Sequence, residues 1–575
     1  MKAWIFISLF FIACSAHKQP EALIMHDEVS SIIKAFSKKE VGSFKAFLKD
    51  VNNQSSDPNV KRTIDLYLSG LSLDDVGQTN LYRLTGVYAR LKYKDEVLTI
   101  LEKMVNIPTD KKEGQAQFEN PNIIRFGEQI ETLAKAFKLD YRNVDNRIFE
   151  VILPGKMEES FGIYTHGDVV PADPKKWILE DGTQLDPYKM QIIGDRIYGR
   201  GTEDDKCSIA ASMLAMRLMK EINFIPKRTI RLVIETTEET SSDGIKYYKE
   251  KYPLPDYNIV LDNSYPIVVA EKGYGLITTS FKTHKKNTRA NEIISVTGGL
   301  ASNQIPSLSI AKIKSKRINQ LYAHAKKEIE PFIKKHGSDF SIDLEKQGST
   351  LRITLKGVSA HSSEPETSVN PVPRMFLYLD ELIKNKTFTE NHFTEATRYV
   401  VDKLGTGFLA EKFTNVAYSD EFMGPLTAAL TMVELKKDRL DLVVNLRNPK
   451  GKTPEQLKKD IETDLNAYLA SSKLNFTHSV VTTNFMFRSP KGAWINTLLN
   501  VYEGHTGNEG KPISSAGGTT AKYLPNAVSF GPSHPGEKYR GHNANEFKTI
   551  PNLYLDIEMF TEMLLRIGTL EKMGE

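Results

Sequence analysis

Apolar positions recur at helical spacing in the first part of the chain. "EVSSIIKAFSKKEVGSFKAFL" carries them on one face and is broken by "NNQSSDPN", Asn52 to Asn59. In "EVLTILEKMV", Val97, Leu101 and Met104 follow the i, i+4, i+7 pattern of an amphipathic helix, which stops before Pro108. "GEQIETLAKAFKL" predicts another helix. Further on the spacing shortens. "RIFEVIL", "SFGIYTHGD", "RTIRLVIETTEE" and "YNIVLDNS" read as strands, three of them ending in acids. "KCSIAASMLAMRLMKEI" reads as a helix between the second and third. Apolar strands alternating with helices predict an α/β sheet covered on both faces. In such sheets, sites form at the carboxyl ends of the strands.

The texture changes near Gly275. "GLITTSFKT", "NEIISVTGG", "STLRITLKGVSAHS" and "LDLVVNLRNPKG" are strand-like and are mixed with helices such as "PVPRMFLYLDELIK". After about Phe485 the α/β texture returns, with a helix around "INTLLNVYEGHTG", a strand "NAVSFGP" and a last helix "IPNLYLDIEMFTEMLLRI". The expected organisation is therefore a leader over 1–19, a helical extension over 20–87 and an α/β domain in two parts, 88–274 and 486–575. An α+β domain over 275–485 is inserted between those parts.

At 575 residues more than one core is expected. A net charge of +4 leaves no basic footprint for nucleic acid. "MKAWIFISLFFIAC" has an early lysine and an apolar run from Ala3 to Ala13, the pattern of an export signal and too short to span a bilayer. "FIAC" resembles a bacterial lipobox, which would make Cys14 a lipidated amino terminus. Plain secretion with cleavage near Ala16 is the alternative. The expectation is an exported protein of the bacterial cell envelope or periplasm, touching the membrane only through its lipid. The other cysteine, Cys207, is then without a disulfide partner.

The polar motifs fall at the predicted strand ends. "THGDVVP" places His166 two residues from Asp168, where a carboxylate can fix an imidazole tautomer. "GRGTEDDKC" packs Glu203, Asp204 and Asp205 behind a glycine turn and ahead of a helix, more negative charge than a helix cap needs. "IETTEET" adds Glu238 and Glu239, "VLDNSYP" adds Asp262 and "YRGHNANE" adds His542. Adjacent acids can divide labour between holding a metal and moving a proton. Mixed imidazole and carboxylate ligation suits zinc, with manganese or cobalt as substitutes. Taken singly, each motif also reads as an ordinary cap, turn or exposed loop.

The ordered set HGDVVP, GRGTEDDK, EE, GGLASNQIP, GVSAH, NLRNP, AGGT and GHNANE resembles the dinuclear-zinc metallopeptidases that include carnosinases, aminoacylases and carboxypeptidase G. "FGEQIETLAKAFKLDYRNVDN" and "VNPVPRMFLYL" are most similar to the bacterial peptidase V dipeptidases. The resemblance runs from about residue 90 to the end. It implies a catalytic domain whose mixed sheet is flanked by helices, with an inserted α+β lid, and two zinc ions. Asp204 would bridge them, His166 and Asp262 completing one site and Glu239 and His542 the other. Asp168 would orient His166. Glu238 would be the general base, taking a proton from the bridging water and passing it to the leaving amine. From the lid, His361 would stabilise the oxyanion, while Asn303 and Arg447 would hold the substrate, Arg447 at its terminal carboxylate. Gly518 and Thr519 would lie at that carboxylate too. The insert has the length found in the peptidase V branch, where one chain supplies its own lid histidine, so a monomer is expected.

One departure stands out, Cys207 where the family has glycine after DDK. Cysteine is small enough to pack there, and a ligating thiol is the competing reading. The expected activity is metal-dependent hydrolysis of dipeptides and short peptides with free ends. An N-acyl amino acid deacylase or carboxypeptidase is the alternative within the chemistry. A surface peptide-binding lipoprotein is the alternative outside it, and Glu238 argues against that, because binding alone needs no base.

Overall fold

The computed structural model describes residues 22–384 and 387–574. The export signal and Cys14 lie outside the described residues. No helix among the described residues is long and apolar enough to cross a membrane.

Four helices open the chain, His26–Phe36, Phe44–Gln54, Pro58–Leu68 and Asp75–Val105. The periodic stretch from Glu28 to Leu48 is two helices rather than one. Residues 37–43 turn the chain, and Ser43 caps the second helix by accepting the amide of Ala46. Asp57 caps the third, ahead of Pro58 at the first turn, where a missing amide costs nothing. The fourth helix runs unbroken past residue 87, the expected end of the extension, and carries "EVLTILEKMV" as its last turns. Its interior residues Leu84, Val87, Leu101 and Val105 are buried together with Val29 of the first helix and Met213 and Phe560 of the main body. The amino-terminal helices therefore share the catalytic core.

Charge ties this junction as well. Arg83 pairs with Glu562 at 3.1 Å and Arg90 with Glu558 at 2.9 Å, joining the long helix to the carboxyl-terminal helix Ile550–Thr569. His505 lies between those two glutamates, each of its ring nitrogens 2.6 Å from one carboxylate. Buried charges of this kind persist only when paired.

The catalytic sheet is mixed. Its order is Asp140–Val144, Ile148–Leu153, Arg228–Glu235, Met157–His166, Tyr257–Val260, Ala527–Ser529, Ile267–Glu271 and Met486–Phe487, with Pro512–Ser515 also on Ile267–Glu271. Its centre is parallel: Met157–His166 runs with Arg228–Glu235 on one side and with Tyr257–Val260 on the other. These strands are almost continuously buried, as expected of parallel strands covered on both faces. Their carboxyl ends deliver His166, the Glu238–Glu239 turn and Asp262 to one edge.

The inserted region forms a second, antiparallel sheet. Its order is Ser341–Gln347, Thr350–Lys356, Leu308–Ser315, Asn291–Gly298, Thr427–Leu435, Arg439–Asn448, Gly273–Lys282 and Thr477–Thr482. It buries its own core, including Ile277, Ile353, Phe376 and Leu442. Two short connections join the sheets, Lys272 after Glu271 and residues 483–485 ahead of Met486. Gly273 sits where they cross. A side chain there would meet Asn448 and the carbonyl of Thr483 at 2.5 Å, so the crossing admits only glycine.

Candidate metal centre

His166 ends its strand with Nδ1 donating to the backbone carbonyl of Asp168 at 3.0 Å. Its Nε2 faces Asp204 Oδ1 at 2.9 Å. Asp204 Oδ2 lies 3.2 Å from Nε2 of His542, which also faces Glu239 at 2.8 Å. Asp262 Oδ1 is 4.0 Å from His166 Nε2. The two oxygens of Asp204 thus face two different imidazoles.

This arrangement fits a cation. With Nδ1 spent on a carbonyl, a neutral His166 points a lone pair at a carboxylate oxygen, and the contact is repulsive unless a proton or a metal lies in it. Two ligands of one zinc ion stand about 3 Å apart, which matches the spacing on both sides of Asp204. Ligand atoms of His166, Asp204 and Glu239 lie within 4.8 Å of one another, and so do those of His166, Glu238 and Asp262. Burial, opposed by His166 and reinforced by the Glu239, Glu235 and Asp168 carboxylates, pushes Glu238 up to about 8. Burial, then the charges of Glu238 and Asp204, holds Asp262 well above the usual carboxylate range. Without a cation the cluster takes up protons instead.

The supporting contacts differ from the sequence expectation at Asp168. The orienting group for His166 is the Asp168 carbonyl, and the carboxylate stands 3.6 Å from the ring. That carboxylate accepts the amides of Glu238 at 3.2 Å and Glu239 at 3.1 Å. Asp168 therefore fixes the turn bearing both glutamates.

The turn behind Asp204 is held just as closely. Glu546 accepts the amides of Gly201, Glu203 and Asp204 at 3.0, 3.0 and 3.1 Å, and the guanidinium of Arg200 at 2.5 Å. Asp205 is buried and takes the hydroxyl of Thr165. Lys206 donates to the carbonyls of Met104 and Ile107, closing the turn on the long amino-terminal helix. Both support the turn. Cys207 points away from the cluster. Its thiol is buried, donates to the Glu203 carbonyl at 3.4 Å and packs in the core, and burial raises it well above the usual thiol range. It is a packing residue.

The lid side chains gather around a short ladder pairing Gln304 with His361. Asn303 is exposed beside it and accepts the Ser362 amide with its carbonyl at 2.9 Å. His361 Nδ1 accepts the amide of Ser363 at 3.4 Å and meets its hydroxyl at 2.6 Å, which places the ring proton on Nε2. His361 is exposed, and desolvation within the cleft, with the positive charges of Arg447 and His542, lowers its pKa and favours the neutral ring. Arg447 is buried and reaches Asn445 at 3.1 Å and Ser362 at 3.4 Å. Among the described residues it pairs with no carboxylate. Thr519 stands apart from the expectation. Its amide and its hydroxyl both go to Glu271, at 3.0 and 2.6 Å, leaving neither donor for a substrate. Gly518 precedes it, and a side chain there would meet nothing nearer than Lys522 Nζ at 3.8 Å.

Three contributors were not assigned from the sequence. Glu546 and Tyr539 flank His542 in "YRGHNANE", and Tyr539 donates its hydroxyl to Asp204. Ser362 follows His361. Their proximity to assigned residues was the only available clue.

A profile of peptidase family M20/M25/M40 matches residues 162–566. The chain belongs to that family. It is a hydrolytic peptidase of a metal-dependent type. The M20 match spans both parts of the catalytic sheet and the insert. The Beta-Ala-Xaa dipeptidase of Lactobacillus delbrueckii subsp. lactis is 28% identical over 485 residues, covering 82% of this chain and 96% of that protein. Among solved structures, human carnosine dipeptidase 1 aligns with a TM-score of 0.52 at 14% identity, covering 85% of this chain and 99% of that one. A di-peptidase from Saccharomyces cerevisiae aligns with a TM-score of 0.50 at 12% identity, covering 85% and 99%. These two structures share the M20 fold with this chain.

Proposed function

We propose that this M20 peptidase cleaves dipeptides and short peptides with free ends, using two divalent ions, zinc first and manganese or cobalt as substitutes. The observation that carries the reading is Asp204, one carboxylate facing two imidazoles across gaps of 2.9 and 3.2 Å. His166 and Asp262 would hold one ion and His542 and Glu239 the other, with Asp204 shared. When bound, the ions supply Lewis acidity for amide hydrolysis.

The chain's own groups do the rest. Glu238 takes a proton from the attacking water at its carboxylate and delivers it to the amine nitrogen as the C–N bond breaks. Asp168 keeps Glu238 and Glu239 in register through their amides. His361 donates from Nε2 to the carbonyl oxygen as it gains charge. Arg447, buried and with no carboxylate partner among the described residues, takes the substrate's terminal carboxylate. Asn303 assists from beside the Gln304–His361 ladder. The insert has the length at which one chain supplies its own lid histidine, which supports a self-sufficient monomer. The relatives' names, Beta-Ala-Xaa dipeptidase among them, favour dipeptides. Export with attachment through Cys14 belongs to the same reading, on the evidence of the run Ala3–Ala13 followed by Cys14.

The test is a panel of dipeptides, tripeptides and N-acyl amino acids offered to metal-analysed protein. Dipeptide cleavage that a chelator abolishes and zinc restores is the expected result. Turnover of acylated amino acids alone would overturn it.

A further inference from the structure

The guanidinium of Arg447 is held by an unusual neighbour. Tyr274 is its direct cross-strand partner between Gly273–Lys282 and Arg439–Asn448. The guanidinium carbon lies 5.3 Å from the centre of the Tyr274 ring. The Tyr274 hydroxyl is 3.2 Å from Ser302 Oγ, beside Asn303. Ser362, beside His361, meets Arg447 and also gives its amide to Asn303. A closed circuit therefore runs through Tyr274, Ser302, Asn303, Ser362 and Arg447.

The backbone of Tyr274 is fixed from the other side. Its amide donates to Thr483 Oγ1 at 2.9 Å, and its carbonyl accepts the Thr483 amide at 2.8 Å. Thr483 belongs to the returning connection between the two sheets, and Tyr274 is the second residue of the strand that the outgoing connection, Lys272, leads into. The ring that carries Arg447 is thus anchored at the crossing of both connections, one residue from Gly273.

We propose that Tyr274 is a positioning residue for substrate selection. Its ring holds the Arg447 guanidinium in place to take a terminal carboxylate, and its backbone ties that guanidinium to the crossing of the two connections between the sheets. The inference rests on the reading of Arg447 as the carboxylate-binding group. A flat π face suits a guanidinium that lacks an acid partner, because it compensates positive charge without neutralising it. An acid in that place would compete with the substrate.

The experiment compares a dipeptide with its carboxyl-terminal amide in the wild type, Tyr274→Leu, Tyr274→Phe and Arg447→Lys. Tyr274→Leu keeps apolar bulk without a π face. Its preference for the free acid over the amide is expected to fall about tenfold, the loss appearing in KM for the acid. Tyr274→Phe keeps the face and is expected to hold the preference within about threefold. Melting curves of all four proteins separate misfolding from loss of selection, since misfolding lowers turnover of acid and amide alike. If Arg447→Lys abolishes the preference and Tyr274→Leu keeps it, the role of Tyr274 is overturned and the reading of Arg447 survives. If Arg447→Lys keeps the preference, both fall. If Tyr274→Phe loses it as fully as Tyr274→Leu, the hydroxyl contact to Ser302 carries the effect and the π-face assignment is overturned.

Discussion

Asp168 accepts the backbone amides of both Glu238 and Glu239, at 3.2 and 3.1 Å. One buried carboxylate thus sets the height of two acidic side chains to which the proposed mechanism gives different tasks. Asp168→Asn exchanges one acceptor oxygen for an NH2 group, which faces an amide donor. A buried hydrogen bond to a charged group is worth about 1.5–3 kcal/mol, so kcat should fall by about 10- to 100-fold, with KM less affected. Steady-state kinetics on a dipeptide checks this. A kcat within twofold of wild type would remove the assigned role.

Glu546 gathers three amides of the Asp204 turn and the Arg200 guanidinium on one carboxylate. Glu546→Gln weakens that frame without touching a ligand. Groups that orient ligands typically change metal affinity by about 10- to 100-fold. Competition with a chelating dye should show a loss in that range.

Cys207 should be indifferent to metal. Cys207→Ser is expected to keep the wild-type metal content, its hydroxyl taking over the bond to the Glu203 carbonyl. Peptide mapping after a thiol reagent should find Cys207 labelled only under unfolding conditions, because the buried thiol forms no thiolate. A metal content that drops with Cys207→Ser would revive ligation.

The His505 cluster predicts the pH dependence of stability. The Glu558 and Glu562 carboxylates outweigh the cost of burial and hold His505 above its ordinary 6.5. Its contribution is complete below about pH 6.5 and is lost as pH rises through its native value. The same contacts, with Arg90 on Glu558 and with Arg83 and Arg566 on Glu562, outweigh burial and hold both glutamates below their ordinary 4.5. Their contribution is complete above about pH 4.5 and fades as pH falls toward their native values. Between those limits all three stabilise the fold. His505→Leu leaves two buried carboxylates short of a partner and should cost about 3 kcal/mol near pH 6. Thermal melts across pH should show that cost shrinking on the alkaline side as the native His505 loses its proton.

Much of the candidate site was legible because several of its residues are local to strand ends. Alternating and continuous apolar runs located the strands, and His166, the Glu238–Glu239 pair and Asp262 end or closely follow one, while Asp204 and His542 were marked by their glycine-bearing turns. What was not legible depends on partners far apart in sequence. Asp168 meets a turn seventy residues on, and nothing in "HGD" distinguishes a carboxylate that orients a ring from one that caps two amides. Thr519 is taken by Glu271, 248 positions away, so its polar groups look available in the sequence and are not. The Asp75–Val105 helix hid its unity because it is buried on most sides, which erases the one-faced pattern that marks a helix. The same holds for Tyr274, whose partner Arg447 is defined only by strand register.

The central claim is that Asp204 is one carboxylate shared by two ions. Metal content per chain, measured on wild type and on Asp204→Ala purified in zinc, tests it most directly. The account predicts two ions per wild-type chain and the loss of both, with dipeptide turnover, in Asp204→Ala. One ion in the wild type, or a variant that keeps two, would contradict it.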